Sequence, residues 1–528
     1  MGPVGLSLLV AASAAAYGFG SPGYGLGFLA WIGIAPFFHA LRQGGVKLAA
    51  GFGFLFGAVF VLTGFRWFFQ VADVHIPNYL AAVCAFSLFF LLFGVLYNLL
   101  SRRAGILSFF GGPALWVAFE FLRSNISFLS LPWNLLGHTQ YLETRIIQIA
   151  DFSGVYGVSF VLALSNQFLS ELPGTVSRWK GTGHGSFQRA LLPAGIGIRL
   201  LIVLGVVAAT LVYGYLSRSA PAGDRRIRVA LVQANTIPKD DMPYAEVKRH
   251  LERYNLMTRE AAKEKPDLIV WPASSLPAPL SNLLVRFSLI EIQQMVRIPL
   301  LVGGSGREKD SARRPGDPVH SNSEFLLSPG GRVEGTYHKI RLLPFNEYLP
   351  LERWIGWPGW ITNLKSSFIP GTEYTLFSAG GARFGTPICW ENMFPEDFRR
   401  FVLEGADFMV GVTNEGFLGR TKGPYQTLAT YVFRAVENRV AVVRSAPTGV
   451  SAFIGPDGEI LSRVRNASGE DLYVPGILVR DIPLETRRGF YTRHGDVFAA
   501  LSTVFAGIAL AFSLPETLRD RREKRPRG

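Results

Sequence analysis

The stretch "TPICWENMFPEDF" (residues 386–398) sets a cysteine at the end of a short apolar run and follows it directly with Trp390 and Glu391. Cysteine is scarce in this chain. Besides Cys389 there is only Cys84, inside an apolar run, where a small buried hydrophobe is the ordinary reading. Two cysteines so far apart make neither a disulfide framework nor a zinc spacing, so no metal is expected. A strand-end cysteine is a candidate nucleophile only if a neighbour withdraws or stabilises its proton, because a free thiol at neutral pH is mostly protonated.

Two other segments offer such neighbours. "YHKIRLLPFNEYLPLE" (337–352) places Lys339 between Tyr337, Ile340 and Leu342. A lysine so flanked suits an ammonium that stabilises an oxyanion, the alternative being a solvated strand lysine. His338, beside it, would point to the opposite face of a strand. "LIVWPASSLP" (268–277) has the frame of a catalytic strand end, with Ala273 where an acid is expected.

Around these segments the pattern is short β-rich runs: "RIRVALVQAN" (226–235), "DLIVWP" (267–272), "IPLLVGGSG" (298–306), "SEFLLSPGG" (323–331), "ARFGTPICWE" (382–391), "ADFMVGVTNEG" (406–416) and "VAVVRSAPTGVSAFIGPDGEIL" (440–461). Residues 244–265 and 425–439 read as amphipathic helices. Strands and helices mixed in this way predict a layered α/β or α+β domain.

The rest of the chain is of another kind. Hydrophobic residues are 49% and charged ones 17% of 528, with mean hydropathy +0.24, which predicts a membrane part joined to a water-soluble part. Runs near the roughly 20 apolar residues needed to span a bilayer fall at 3–19, 24–41, 48–65, 79–100, 105–122, 146–169, 200–216 and 495–514. The expected domains are therefore a membrane domain of seven spans over 1–216, a catalytic domain over 217–494, and a last span with a basic tail over 495–528. The net charge of +14 comes with no basic stripe interleaved with aromatics, so nucleic acid is not an expected partner. It comes instead from loops on one side: Arg42 and Lys47, Arg102 and Arg103, Arg178, Lys180, Arg189 and Arg199, and the tail "RDRREKRPRG". Opposite loops such as "VADVHIPN" (71–78) are poor in Lys and Arg. By the positive-inside rule both termini are cytoplasmic and 217–494 lies across the membrane. The first span has no basic leader and runs on into a second, so no cleavable signal is expected. Glu120 and Asp151 sit in or beside spans, where an ionisable group is either functional or hydrogen-bonded between helices.

"WPASSLP", "HKIRLLPFNEYLP", "ICWENMFPEDFR" and "TNEGFLG", in this order, resemble the nitrilase (carbon–nitrogen hydrolase) superfamily over 226–485. With spans on both sides and "LPWNLLGHTQY" at 131–141, nearly the whole chain resembles the apolipoprotein N-acyltransferase family. That resemblance implies an αββα sandwich on a polytopic α-helical membrane domain, in the bacterial inner membrane with the catalytic domain periplasmic. It implies Cys389 as nucleophile, Lys339 as its lysine, and Glu347 and Glu391 as further site glutamates. It also implies a phospholipid acyl donor, a diacylated apolipoprotein acceptor, a thioester on Cys389, and no cofactor. Trp390 and the aromatic stretch 351–368, with Trp354, Trp357 and Trp360, are candidate substrate contacts; the alternative for that stretch is an aromatic cluster under a loop.

The chain departs from the family at the base glutamate of "WPES", which is Ala273 here. Trp271, Pro272, Ser274 and Pro277 hold the frame, and no acid lies between Asp267 and Glu291. The expectation is a Glu→Ala inactivated enzyme, the alternative a natural pseudoenzyme. Two rival functions stay open: a membrane-anchored amidase or nitrilase that transfers acyl groups to water, and a catalytically silent scaffold or transporter.

Overall fold

A computed structural model describes the chain except for residues 1, 72–75, 103–104, 182–193, 219–223, 240–241, 310–317, 360–363, 365–366, 485–487 and 524–528. Arg103, Arg189, Trp360, the end of the basic tail and residues 72–75 of the 71–78 loop lie outside the described residues, as do the side chains of Arg178 and Lys180. The chain forms two compact units, one of Met1–Phe69, Ile76–Ser219 and Asp496–Gly528, the other of Gln70–His75 and Ala220–Gly495.

In the first unit, five described helices are long and apolar enough to cross a bilayer: Pro3–Gly20, Val46–Gly64, Tyr79–Ser101, Ile106–Asn125 and Gly195–Arg218. A pair of helices, Ile147–Ser153 and Val155–Pro173, is long and apolar enough only when taken together, and it is bent by 119°, the geometry of a broken span or a re-entrant loop. The bend falls at Gly154, whose φ of 64° is left-handed and costs a glycine little. The expected span at 24–41 is not one helix. A short 3-10 turn, Gly27–Trp31, is followed by Ala35–Gln43, and nine helical residues reach only about 14 Å at 1.5 Å per residue. Pro36 lacks the N–H that a continuing helix would need, so it begins a new helix instead. The last expected span appears as the shorter apolar stretch Val497–Ser513. Glu120 accepts from Trp116 Nε1 (3.0 Å) and from the Leu136 amide (2.6 Å). Asp151 accepts from Tyr213 Oη at 2.7 and 2.9 Å. Both carboxylates are thus hydrogen-bonded across the packing of the unit.

The second unit is built on two six-stranded sheets. Its strands are β1 (Arg226–Gln233), β2 (Leu268–Val270), β3 (Leu300–Lys309), β4 (Pro318–Leu327), β5 (Val333–His338), β6 (Leu376–Ala379), β7 (Ala382–Gly385), β8 (Phe408–Val412), β9 (Val442–Ser445), β10 (Ala452–Ile454), β11 (Ile460–Arg463) and β12 (Gly476–Pro483). The order is β12-β1-β2-β3-β4-β5 in one sheet and β11-β10-β9-β8-β7-β6 in the other. The central strands β2, β8 and β9 are buried on both faces, which is why they read as unbroken apolar runs.

Strand periodicity assigns the faces of the first sheet. Ala230, Val232, Ile269, Trp271, Leu300, Val302, Phe325 and Leu327 share one core with Val247, Leu251 and Tyr254 of helix Tyr244–Ala262 and with Val285, Leu289 and Ile292 of helix Leu283–Val296. With a period of two, Val270, Leu301, Gly303, Glu324 and Leu326 face away from those helices. The functional residues gather on that other face.

Candidate active site

Cys389 follows β7 by a short extension. Strand pairing stops at Gly385, resumes as one parallel bridge between Ile388 and Val412, and turns into a 3-10 helix, Cys389–Met393. The strand expected through 391 is therefore broken at the cysteine. Cys389 itself takes φ 51°, a left-handed conformation that costs a non-glycine residue about 1–3 kcal/mol and gathers at functional sites. Burial pushes its thiol above the ordinary range, Lys339 pulls it back, and a hydrogen bond with Thr413 helps. The net direction is upward, so this thiol needs a proton acceptor before it can attack.

Lys339 stands one residue beyond the end of β5 and is only 1% exposed. Its Nζ donates to both oxygens of Glu347, at 2.8 and 2.7 Å. Burial alone would lower its pKa, but Glu347, Cys389 and Glu391 outweigh that and hold it raised, so it stays an ammonium. Glu347 is fixed in turn by the Leu343 amide (2.6 Å) and by Asn322 Nδ2 (3.2 Å). Asn322 comes from β4, and its carbonyl accepts the Lys339 amide at 2.8 Å. Nothing in "SNSEF" marked Asn322 as part of the site.

Glu391 is a junction. It accepts from Tyr337 Oη (2.9 Å to each oxygen), from the Ile340 and Arg341 amides (2.7 and 2.9 Å), and from the Ile388 amide (2.7 Å). One carboxylate thus ties the backbone just after Lys339 to the backbone just before Cys389. Burial dominates its titration and raises it to about 7, against the pull of the Ile388 amide and Lys339.

Ala273 lies beyond the end of β2, 1% exposed, next to Ser274, which is also left-handed at φ 54°. It has no polar side chain to offer. Trp390 packs its ring against Phe394 at 5.4 Å, directly after the cysteine. Trp357 donates to the Pro350 carbonyl (2.6 Å) and meets Phe345 edge-on, whereas Trp354 is 85% exposed. The structure therefore brings together Cys389, Lys339, Glu347 and Glu391, and leaves Trp354 at the surface of its loop.

A family model described as the apolipoprotein N-acyltransferase N-terminal domain matches residues 13–168, and one described as carbon–nitrogen hydrolase matches 228–490. An apolipoprotein N-acyltransferase of Geobacter metallireducens is 32% identical over 508 residues, covering 93% of this chain and 92% of its own. Apolipoprotein N-acyltransferase 1 of Treponema denticola is 28% identical, covering 96% of this chain and 95% of its own. Among solved structures, an amidase from Nesterenkonia sp. aligns with 52% of this chain and 96% of its own, at 21% identity and a TM-score of 0.37.

Proposed function

The chain belongs to the apolipoprotein N-acyltransferase family, and from that membership we propose that it moves an acyl chain from a phospholipid to the free α-amine of a diacylated lipoprotein. The Cys389 thiolate attacks the sn-1 ester carbonyl. The tetrahedral oxyanion forms against the Lys339 ammonium, the ester C–O bond breaks, and the lysophospholipid leaves with the proton taken from the thiol. The lipoprotein amine then attacks the thioester. Its proton passes to the departing sulfur, an amide is formed, and the free thiol returns. Lewis-acid or redox help is not called for by these steps, because the thiolate and the ammonium supply the nucleophile and the charge stabilisation.

The observation that carries this reading is the buried Lys339, kept charged by Glu347 and coupled electrostatically to Cys389. Glu347 would aim the ammonium, and Glu391 would fix the spacing between lysine and cysteine. The exposed Trp354 suits a loop that dips into the lipid interface. The apolar helices make this a multi-pass membrane protein. Arg42 and Arg199, which both pair with Glu171, and Arg102, bound to the Asn98 that holds the Leu41 and Gly44 carbonyls, share one basic end of the helices, which favours a catalytic domain on the opposite, periplasmic side; family membership favours the inner membrane. Ala273 leaves its position without a base, so the first step is slow, as in an inactivated enzyme, unless another carboxylate takes the thiol proton.

The test is to mix the purified full chain with phospholipid vesicles and a synthetic diacylated peptide bearing a free N-terminal amine. The expected result is peptide heavier by one acyl chain and an equal amount of lysophospholipid. Fatty acid released at the same rate without peptide would replace this reading with a hydrolase. A chain that never carries an acyl adduct on Cys389 would replace it with a silent scaffold.

A further inference from the structure

Resting on the acyl-transfer reading above, we propose that Glu324 on β4 is the general base of this enzyme and supplies the carboxylate that Ala273 does not. β4 pairs with β3 so that Glu324 is directly opposite Gly303, and with β5 so that it is directly opposite Tyr337. Its strand neighbours Phe325 and Leu327 face the helices, so Glu324 faces the other way, with Asn322 two residues before it. On that same face Asn322 holds Glu347, and Tyr337 holds Glu391, two residues after the nucleophile. Glu324 is thus in the row of residues that builds the site.

Gly303 shows where its carboxylate goes. A Cβ placed on Gly303 would sit 2.4 Å from Glu324 Oε1, 2.7 Å from the Ala273 Cα and 2.8 Å from the Ser274 amide nitrogen. The carboxylate therefore fills the space that Gly303 leaves open and ends beside the backbone of Ala273. An acid has not been lost from this corner. It arrives from β4 instead of from the end of β2.

The other buried carboxylates here each hold a partner: Glu347 holds Lys339, Glu391 accepts four donors, and Glu415 takes Arg444 (2.6 Å) and Thr427 (2.5 Å) on Oε1, leaving Oε2 without a partner among the described residues. Glu324 is fully buried, and neither of its oxygens has a hydrogen-bond partner among the described residues. An unpartnered carboxyl in such a place destabilises the fold and gives no packing benefit that an apolar side chain would not. Burial holds its carboxyl well above the usual carboxylate range, so it must ionise before it takes the thiol proton, and that hydrogen bond closes only in the substrate complex. In the first half-reaction Glu324 takes the proton from Cys389 Sγ and returns it to the lysophospholipid alkoxide. In the second it takes one proton from the attacking amine and returns it to the sulfur as the thioester C–S bond breaks.

The full chain, Glu324→Gln, Glu324→Ala and the double variant Ala273→Glu/Glu324→Ala are compared with phospholipid vesicles, reading the Cys389 thioester by intact mass and then peptide acylation. The natural chain is expected to form the thioester, and Glu324→Gln to slow it by about 10²–10⁴-fold, the usual contribution of a general base. The double variant is expected to recover the rate. Glu324→Ala is expected to keep or raise the thermal midpoint while losing activity, the opposite of what a structural glutamate would do. Thioester formation by Glu324→Gln at the natural rate overturns the proposal, as does a natural chain that is silent while the double variant is active; either leaves the acyl-transfer reading standing. Thioester in the active variants with no acylated peptide overturns acyl transfer to the amine and leaves Glu324 as the base. Silence of every variant overturns both.

Discussion

Replacing Lys339 by methionine keeps most of the side-chain volume and removes the charge. Two effects follow, and they can be separated. The ammonium is 1% exposed and bonds both oxygens of Glu347, so its loss leaves a buried carboxylate with only Asn322 and the Leu343 amide. Breaking a buried pair from one side typically costs about 3–5 kcal/mol of stability. Losing an oxyanion donor costs about 10²–10³ in rate, or roughly 2.7–4 kcal/mol of barrier. The double change Lys339→Met/Glu347→Gln removes both charges; it should restore much of the stability and none of the rate. Lys339 also lowers the Cys389 titration, so removing it moves that pKa further up. Alkylation by iodoacetamide, which needs the thiolate, should then rise at higher pH in Lys339→Met than in the natural chain. The assays are thermal unfolding followed by tryptophan fluorescence, thioester formation by mass, and the pH profile of alkylation. A Lys339→Met chain that loses stability but keeps both its thioester rate and its alkylation profile would refute the oxyanion role and leave a purely structural ion pair.

Three further outcomes are expected. Glu391 has a folded pKa raised from 4.5 to about 7, so its contribution to stability is complete below about 4.5 and is lost as pH rises through about 7; Glu391→Gln should flatten that slope in a pH series of unfolding midpoints, and should itself cost about 1–3 kcal/mol by leaving a backbone donor unpaired. Single cysteines introduced on exposed sites of 224–494 in a Cys84→Ser/Cys389→Ser background should react with an impermeant thiol reagent from outside the inner membrane, while a cysteine at Arg102 should not, and the reverse pattern would overturn the proposed orientation. Trp354→Ser should slow thioester formation with vesicles several-fold and leave iodoacetamide alkylation of Cys389 unchanged, and an equal effect on both would return this loop to ordinary packing.

Much of the fold was legible because burial writes itself into the sequence. β2, β8 and β9 are covered on both faces and so appear as unbroken apolar runs, and the helices Tyr244–Ala262 and Gly423–Asn438 carry an amphipathic pattern. β12 leaves no clean alternation because its burial is mixed, β6 is too short to stand out, and β5 shows only as the strand that carries His338 and Lys339. The membrane helices were legible by length and composition, but the break in 24–41 depends on where a proline falls, and the 119° bend depends on one left-handed glycine. Neither changes the average hydropathy of a window.

The site was legible where chemistry is carried along one strand end and illegible where it crosses strands. Cys389, Lys339, Glu347 and Glu391 lie in short motifs whose spacing already implied a nucleophile, a cation and its carboxylates. Along the chain no acid lies between Asp267 and Glu291, which makes the loss at 273 look local. A sheet does not work locally, because residues far apart in sequence become neighbours across a ladder at the spacing of adjacent strands. Gly303 on β3 is the physical link. Lacking a Cβ, it lets the Glu324 carboxylate from β4 pass over it to Ala273 at the end of β2. A glutamate at 273 and one at 324 would compete for this pocket, and two buried carboxylates so close resist ionising together. Alanine at 273 is then what allows the glutamate at 324 to be accommodated. The same substitution that suggests a dead enzyme from the sequence becomes, across the ladder, half of an exchange that keeps one acid in the pocket.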